Sequence, residues 1–499
     1  MNSKKISLTF IWGILASMIL VLLLYGFCGG LNGNDFWWHV KVGQWIVEHG
    51  SVPTTDIFSW IGQAYGISWT AHEWLSEVIF YVIFASWGEA GIYVLCVSLA
   101  ILLMLFLMYT SRKMALRNIL LAGIFFALFA VVMRTLFYGR PHIFGFLLLA
   151  ATLKILYTFY ENTESRLLFL MPLLSCLWSN LHGGSAALSY ILCSAMLVVS
   201  LLNFRLGRVV CERKSRAACG KLAAVTALTI AGILVNPIGA RVLLYPYVNL
   251  SDKLMMTVIS EWQAPDAKDM GQLIVYFLPI VLMTIGLVTE REDVRFLDIV
   301  IMGIFLLLFF RSVRFIMCWY IAAPFYAFRY LPVLPMKEVD RRSDRLILRA
   351  VALILAFLLC AAAYRLARYI RSGDDLISVV VSDEMIAVIK EDDPKQIFND
   401  YNTGETLIYH DIEVFVDSRA DVYAAEHILE DVLSLSSLYQ YNEEAATEYT
   451  DVDALMESYQ FDAMLVLKSR PLYAYLISHP DRFLLMYEDE NMGYFKVLS

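Results

Sequence analysis

Apolar residues in this chain gather into long, nearly unbroken runs, and those runs predict the first part of the fold. Stretches close to bilayer length lie near 6–28, 91–110, 118–137, 143–160, 167–180, 185–203, 222–236, 272–288, 296–310, 315–331 and 348–364. The runs at 167 and 222 reach that length only if their flanks enter the bilayer, and 75–87 is apolar but shorter still. The first run follows Met-Asn-Ser-Lys-Lys and is too long for the apolar core of a signal peptide, so it reads as an uncleaved membrane helix. Beyond about residue 372 the pattern changes. Short β-type runs at Gln396–Phe398, Val414–Val416, Ala463–Leu467, Phe483–Tyr487 and Tyr494–Val497 alternate with helix-type stretches at 423–436 and 451–459. The prediction is a polytopic α-helical membrane domain over 1–371, with about 11 transmembrane helices and a first outer loop at 29–74. A C-terminal extracytoplasmic α/β domain follows over 372–499.

Composition and charge sharpen this division. Of 499 residues, 59% are hydrophobic and 17% charged, a balance that fits no water-soluble protein of that size. Residues 371–499 hold 8 Lys and Arg against 27 Asp and Glu, leaving 31 against 20 for the rest. With no basic soluble domain, nucleic acid is not an expected partner. With Lys4 and Lys5 placed inside, alternate connections carry Arg112, Lys113 and Arg117, then Lys154 and Arg166, then the run Arg205 to Lys221, then Arg291 and Arg295, and finally Arg329 to Arg349. Together they hold 21 of the 31 basic residues before position 371, as a cytoplasmic N-terminus requires. Arg365, Arg368 and Arg371 run against that rule. An odd number of spans then leaves the acidic tail outside. All eight histidines and the loops 29–74 and 237–271 fall on the same outer side, so polar side chains with useful chemistry concentrate on one face. The eight cysteines all precede residue 371 and show no CxxC spacing, so neither a metal knot nor a disulfide framework is expected.

The segment richest in chemistry follows the first span: Gly33-Asn34-Asp35-Phe36-Trp37-Trp38-His39, continuing through Gly43, Trp45, Gly50, Pro53, Asp56 and Phe58-Ser59-Trp60 to His72-Glu73-Trp74-Leu75. Asp35 stands at the membrane boundary beside three aromatic residues, and Val40, Trp45, Ile46 and Val47 continue an apolar face. The segment reads as an interfacial helix on the outer leaflet. An acid there meets both a lipid headgroup and a water-borne acceptor. The plainer alternative is that Asp35 caps this helix and the tryptophans anchor it.

These residues, together with Arg140-Pro141-His142, Asn180-Leu181-His182-Gly183-Gly184, Asn236-Pro237, Glu261-Trp262, Phe398-Asn399-Asp400-Tyr401, Gly404 and Val416-Asp417-Ser418-Arg419-Ala420-Asp421-Val422-Tyr423, resemble the GT-C superfamily of membrane glycosyltransferases. More narrowly, the pattern is similar to that of a largely uncharacterised bacterial group of polytopic membrane proteins. The resemblance implies inverting transfer of a sugar from a polyprenyl-phosphate donor to a glycan, lipid or protein acceptor, at the outer face of a bacterial plasma membrane. Asp35 would take the proton of the acceptor hydroxyl, which becomes a competent nucleophile only as that proton leaves. Asp56 matches a second acidic position, to orient the acceptor or bind a metal; a turn cap is the alternative.

The departing phosphate needs positive charge. Arg134, Arg140, Arg241, Arg311 and Arg314 all lie at outer ends of spans, where guanidinium groups suit a lipid phosphate, with headgroup snorkelling as the alternative. Arg140 and Arg314 are the chosen phosphate candidates, Arg311 lying within one helical turn of Arg314, and Arg311, His39, His72, Glu73, His142, His182 and Glu261 are further substrate contacts. His39, His72, His142 and His182 have no metal-ligand spacing such as HExxH, so no metal ligand is assigned; hydrogen bonding to substrate or helix ends is expected instead. No cofactor follows with certainty, although the resemblance leaves room for a divalent cation, Mg or Mn. In the tail, Asp400-Tyr401 and Asp417-Ser418-Arg419 fall at strand ends, where α/β folds place binding loops, or else form internal contacts in a scaffold. The rival functional reading is a non-catalytic or transport-type protein that binds lipid-linked sugars. Transport would favour broken helices or repeated halves, and the sequence offers neither.

Overall fold

The computed structural model describes residues 8–28, 31, 33–289, 293–332, 341–372, 376–439 and 449–498. Lys4, Lys5 and Arg291, used above for orientation, lie outside them. The described chain divides into two compact units. The first comprises Met1–Asn32, Glu89–Pro246 and Ile259–Leu376, and the second comprises Gly33–Gly88, Tyr247–Val258 and Ile377–Ser499. The loop after the first span thus groups with the C-terminal residues rather than with the helices that flank it.

The first unit is helical because its apolar runs are long enough to satisfy every backbone group within one segment, as a spanning segment must. Each of the eleven expected spans contains a helix: Leu8–Phe27, Trp74–Ala115, Ile119–Leu136, His142–Glu161, Met171–Leu181, Gly183–Leu201, Arg216–Ile233, Leu278–Thr289, Phe296–Arg311, Ile316–Tyr326 and Arg341–Ser372. Among the described residues, seven helices are long and apolar enough to cross a membrane, and others, such as the one ending at Leu181, are shorter. The short apolar run at 75–87 is not separate. It is the start of Trp74–Ala115, which is broken at Gly88 (φ 60°, ψ −156°), where the chain also passes from one unit to the other. That conformation is open essentially to glycine alone.

Packing in this unit brings aromatic rings together, as where Trp12 meets Phe126 edge-on at 5.9 Å. Among the described residues of this unit Asp298 is a fully buried acid that accepts from Tyr157 Oη (2.9 Å) and Tyr330 Oη (2.7 Å), which satisfies both carboxylate oxygens. Near the basic segment 205–221, strands β1 (Phe204–Leu206) and β2 (Val209–Cys211) form a hairpin, and β3 (Val294–Arg295) pairs with β2 in parallel.

The second unit is built on a four-stranded sheet of β4 (Ile397–Asn399), β5 (Ala463–Leu467), β6 (Phe483–Glu488) and β7 (Met492–Val497), in the order β4-β5-β7-β6. β4 and β5 run parallel, and the other two pairings are antiparallel. Helices Asp383–Asp392, Gly404–Tyr409, Ile428–Ser437, Val452–Tyr459 and Pro471–Ser478 surround it. The expected strand at Val414–Val416 is absent because a side chain takes the place of a ladder. Asn399 Oδ1 accepts from Phe415 N (2.8 Å), and Asn399 Nδ2 donates to Val416 O (2.8 Å). Val414 makes only a single bridge, to Ser59, where Trp60 N donates to Val414 O and Val414 N to Phe58 O. Trp60 stacks on Phe415 at 5.4 Å and donates from Nε1 to Ile397 O (3.1 Å). Phe58-Ser59-Trp60 is thus a seam that sews the first loop onto the sheet.

Candidate functional site

The helix Phe36–His49 carries the acid singled out by the sequence. Asp35 precedes its first turn with helical backbone angles, and its side chain makes no capping hydrogen bond. The capping alternative therefore lacks its defining contact. The tryptophans are not left to lipid: both are buried, Trp37 donating from Nε1 to Ser378 O (2.9 Å) and Trp38 to Ser418 Oγ (3.2 Å). Their indoles fix the helix to C-terminal residues.

Beside Asp35 stands a residue that sequence reasoning missed. Glu405, in the first turn of Gly404–Tyr409, is fully buried. Its Oε2 accepts from Asn34 Nδ2 (2.8 Å) and its Oε1 from Ser418 N (2.9 Å). Burial first, and then the charge of Asp35, push its carboxyl up to about 8, against the opposing pull of the Ser418 hydrogen bond. At neutral pH Glu405 is therefore mostly protonated.

Asp56 is placed differently. It is 3% exposed and belongs to a closed network. It accepts from Phe58 N (3.1 Å), Ser59 N (3.2 Å), Ser59 Oγ and Arg419 Nη2 (2.7 Å). Arg419 also donates from Nε and Nη2 to Asp417 (2.8 and 2.6 Å), and Tyr423 Oη donates to Asp417 Oδ2 (2.6 Å). Burial would lower the guanidinium's proton affinity, but Asp417 and then Asp56 outweigh it and raise it well above the ordinary arginine value. Trp69 and Phe58 flank the guanidinium at 4.6 and 5.1 Å from their ring centres. With its acceptor positions filled in this way, Asp56 fastens the loop to the Arg419 segment. Asp400 likewise turns inward, accepting from Leu467 N (2.9 Å) and Ser436 Oγ (3.1 Å), and Tyr401 Oη donates to Ser418 O (2.8 Å).

His39 and Glu73, both anticipated as substrate contacts, come together with Glu77, which was not. His39 Nδ1 lies 3.1 Å from Glu77 Oε1, and His39 Nε2 lies 4.0 Å from Glu73 Oε2. His72 Nδ1 lies 3.9 Å from Glu73 Oε1. The signal for Glu77 was present: it is the sole charged residue between Glu73 and Glu89, in an otherwise apolar helix.

The remaining candidates belong to the first unit. Arg140 pairs with Glu261 at 3.0 Å, and Tyr138 Oη donates to the same carboxylate (3.3 Å). Arg314 lies over the Trp262 ring at 5.1 Å. Burial would raise the Glu261 carboxyl, but Arg140 and Arg314 hold it down at about 2. Two guanidiniums facing one carboxylate leave a net positive charge. His142 is spent on Leu136 O (2.7 Å), and His182 Nδ1 sits 2.5 Å from Ser185 Oγ, the two rings standing 6.4 Å apart. Arg311 is exposed at the end of its helix.

Comparison with known proteins adds a fold. No known family's sequence profile and no curated protein matches the chain. Among solved structures, it is similar to the Archaeoglobus fulgidus oligosaccharyltransferase tethered with an acceptor peptide containing the NVT sequon. The TM-score is 0.54 at 13% identity, over 91% of this chain and 69% of that one. It is equally similar to the archaeal oligosaccharyltransferase AglB from Archaeoglobus fulgidus in complex with an inhibitory peptide and a dolichol-phosphate, with a TM-score of 0.53 at 11% identity over 92% and 69%. Identities this low speak of architecture alone, and the architecture that this chain shares with these structures is a polytopic helical membrane protein with a C-terminal domain.

Proposed function

We propose that the chain is a membrane glycosyltransferase of GT-C type that moves a sugar from a polyprenyl-phosphate donor to an extracytoplasmic glycan, lipid or protein acceptor, with inversion. The dolichol-phosphate and the acceptor peptide bound to its structural neighbours support that pairing of lipid donor and outer acceptor. In this reading the membrane is a bacterial plasma membrane, the N-terminus is cytoplasmic and the C-terminal unit lies outside.

The observation that carries the proposal is the pair formed by Asp35 and Glu405. Burial and the like charge of its neighbour favour the protonated form of Glu405, so Asp35 is the member of the pair to which we give the role of proton acceptor. The acceptor oxygen bonds to the anomeric carbon as the bond from that carbon to the phosphate oxygen breaks. The hydroxyl proton passes to Asp35, and the electron pair leaves with the lipid phosphate. Within the first unit, Arg140 and Arg314 together exceed Glu261 in charge, a balance suited to a phosphate. Asp56 takes no proton in this scheme, because its acceptor positions are filled.

The test is transfer by full-length protein in lipid vesicles, from a panel of polyprenyl-phosphate hexoses. Asp35→Asn is expected to lose roughly 10²- to 10⁴-fold in rate while keeping its unfolding temperature. A folded variant with unchanged transfer would remove Asp35 from the role of base.

A further inference from the structure

Two helices meet in backbone contact within the second unit, and the contact is set by one glycine. A Cβ on Gly43 would stand 2.0 Å from Glu77 O and 2.8 Å from Tyr81 Cβ, so only a residue without a side chain allows this approach. His39 lies four residues before Gly43 on the same face of Phe36–His49, and the close approach brings its ring onto Glu77. Glu77 on the facing helix and Glu73, just before that helix begins, are also four residues apart, and their carboxylates converge with the His39 ring.

The result is one imidazole and two carboxylates whose ligand atoms all lie within 4.8 Å of one another. His39 is 2% exposed and Glu77 1%. Glu77 Oε1 faces His39, but Glu77 Oε2 is buried with no hydrogen-bond partner among the described residues. A desolvated carboxylate oxygen without a donor is costly, and such an oxygen beside a second carboxylate and an imidazole is what a cation would satisfy.

We propose that His39, Glu73 and Glu77 bind one divalent transition-metal ion. The donor set decides the class. Imidazole suits first-row ions such as Zn²⁺ and Mn²⁺, whereas Mg²⁺ prefers oxygen and holds its waters tightly. Three protein ligands leave coordination positions open, as in sites that act on a bound molecule rather than merely brace a fold. The partly exposed Glu73 gives the ion a way in. Trp38, its ring tilted by 35° against that of His39 at 3.6 Å between centres, and Phe80, edge-on at 6.3 Å, form a wall that orients the ligand. The site lies one helical turn from Asp35, whose carbonyl accepts the His39 amide hydrogen. The inference stands apart from the transfer reaction, since metal binding is measured directly and needs no sugar.

Full-length protein in detergent, stripped with a chelator and desalted, is titrated with Mn²⁺ by electron paramagnetic resonance and with Zn²⁺ by equilibrium dialysis. One ion per chain is expected, and the bound Mn²⁺ should show coupling to a single imidazole nitrogen. Glu77→Gln, His39→Gln and Gly43→Ala should each weaken binding roughly tenfold or more, the last with every ligand still present. Glu48→Gln, on the exposed side of the same helix, should bind as the parent does. Absence of stoichiometric binding by either ion, or Glu77→Gln binding unchanged, overturns the proposal. Should the variants fail to fold, the parent protein decides alone: bound Mn²⁺ without nitrogen coupling overturns the proposal as well.

Discussion

Replacing Arg419 by methionine tests whether Asp56 is a fastener or an acid at work. The guanidinium is sealed between Asp56 and Asp417, all three side chains being at most 1% exposed. Methionine fills similar space but leaves two carboxylates buried without a counter-charge. Removing one partner of a buried ion pair costs about 3–5 kcal/mol, and two stranded acids place this site at the upper end. In a unit of roughly 190 residues, each kcal/mol moves the unfolding midpoint by about 2–4 °C, so a fall of roughly 10–20 °C is expected at pH 7. Tryptophan emission is the natural readout, because Trp69 lies against the guanidinium. A variant that unfolds within about 2 °C of the parent at pH 7 would refute the reasoning. Asp56→Asn should then lower stability and transfer together, whereas Asp35→Asn should lower transfer alone.

Glu405→Gln tests the neutral partner of Asp35. Because folding raises this carboxyl from 4.5 to about 8, parental stability should be greatest at low pH and decline as pH rises through that window. The variant should lack that slope in unfolding scans taken between pH 5 and 9. Arg140→Gln should weaken binding of polyprenyl phosphate to the full chain roughly tenfold or more, and Glu261→Gln, which removes the opposing charge, should tighten it, both read by equilibrium binding at pH 7. Since Glu261 is held near 2, its contribution to stability should persist above about pH 4.5 and fade only as pH falls toward 2. Gly88→Ala should cost about 1–3 kcal/mol, because no other residue adopts φ 60° with ψ −156° cheaply; thermal unfolding reads the loss.

What the sequence made legible follows from how far each signal reaches along the chain. An apolar run of bilayer length specifies its helix locally, and each of the eleven runs contains one. β5, β6 and β7 also announced themselves, because alternation and branched residues act over five or six positions. The run at Val414–Val416 carried the same signature but lost its strand to Asn399, which precedes it by 15 residues and supplies the hydrogen bonds a ladder would have made. Trp37 and Trp38 have partners that are equally remote in the chain. Tryptophan beside a membrane span reads as an interfacial anchor, and nothing local reveals that Ser378 and Ser418 wait for the indole hydrogens.

The same distinction of range explains the candidate site. Asp35 could be picked out because its position after the first span is itself a signal, but its meaning depends on Glu405, 370 residues later, which stands in no motif of its own. Glu77 differs, since a single charge in an apolar helix is visible in the sequence, and its spacing from Glu73 puts both acids on one face. The missing information was the pairing of these acids with His39, which follows from the contact between the two helices at Gly43. A position with no side chain thus carries as much of the metal proposal as the three residues that would hold the ion. It also makes Gly43→Ala a more demanding test than removing any ligand. Loss of the ion with all three ligands retained would mean that the helix approach, rather than the mere presence of an imidazole and two acids, creates the site.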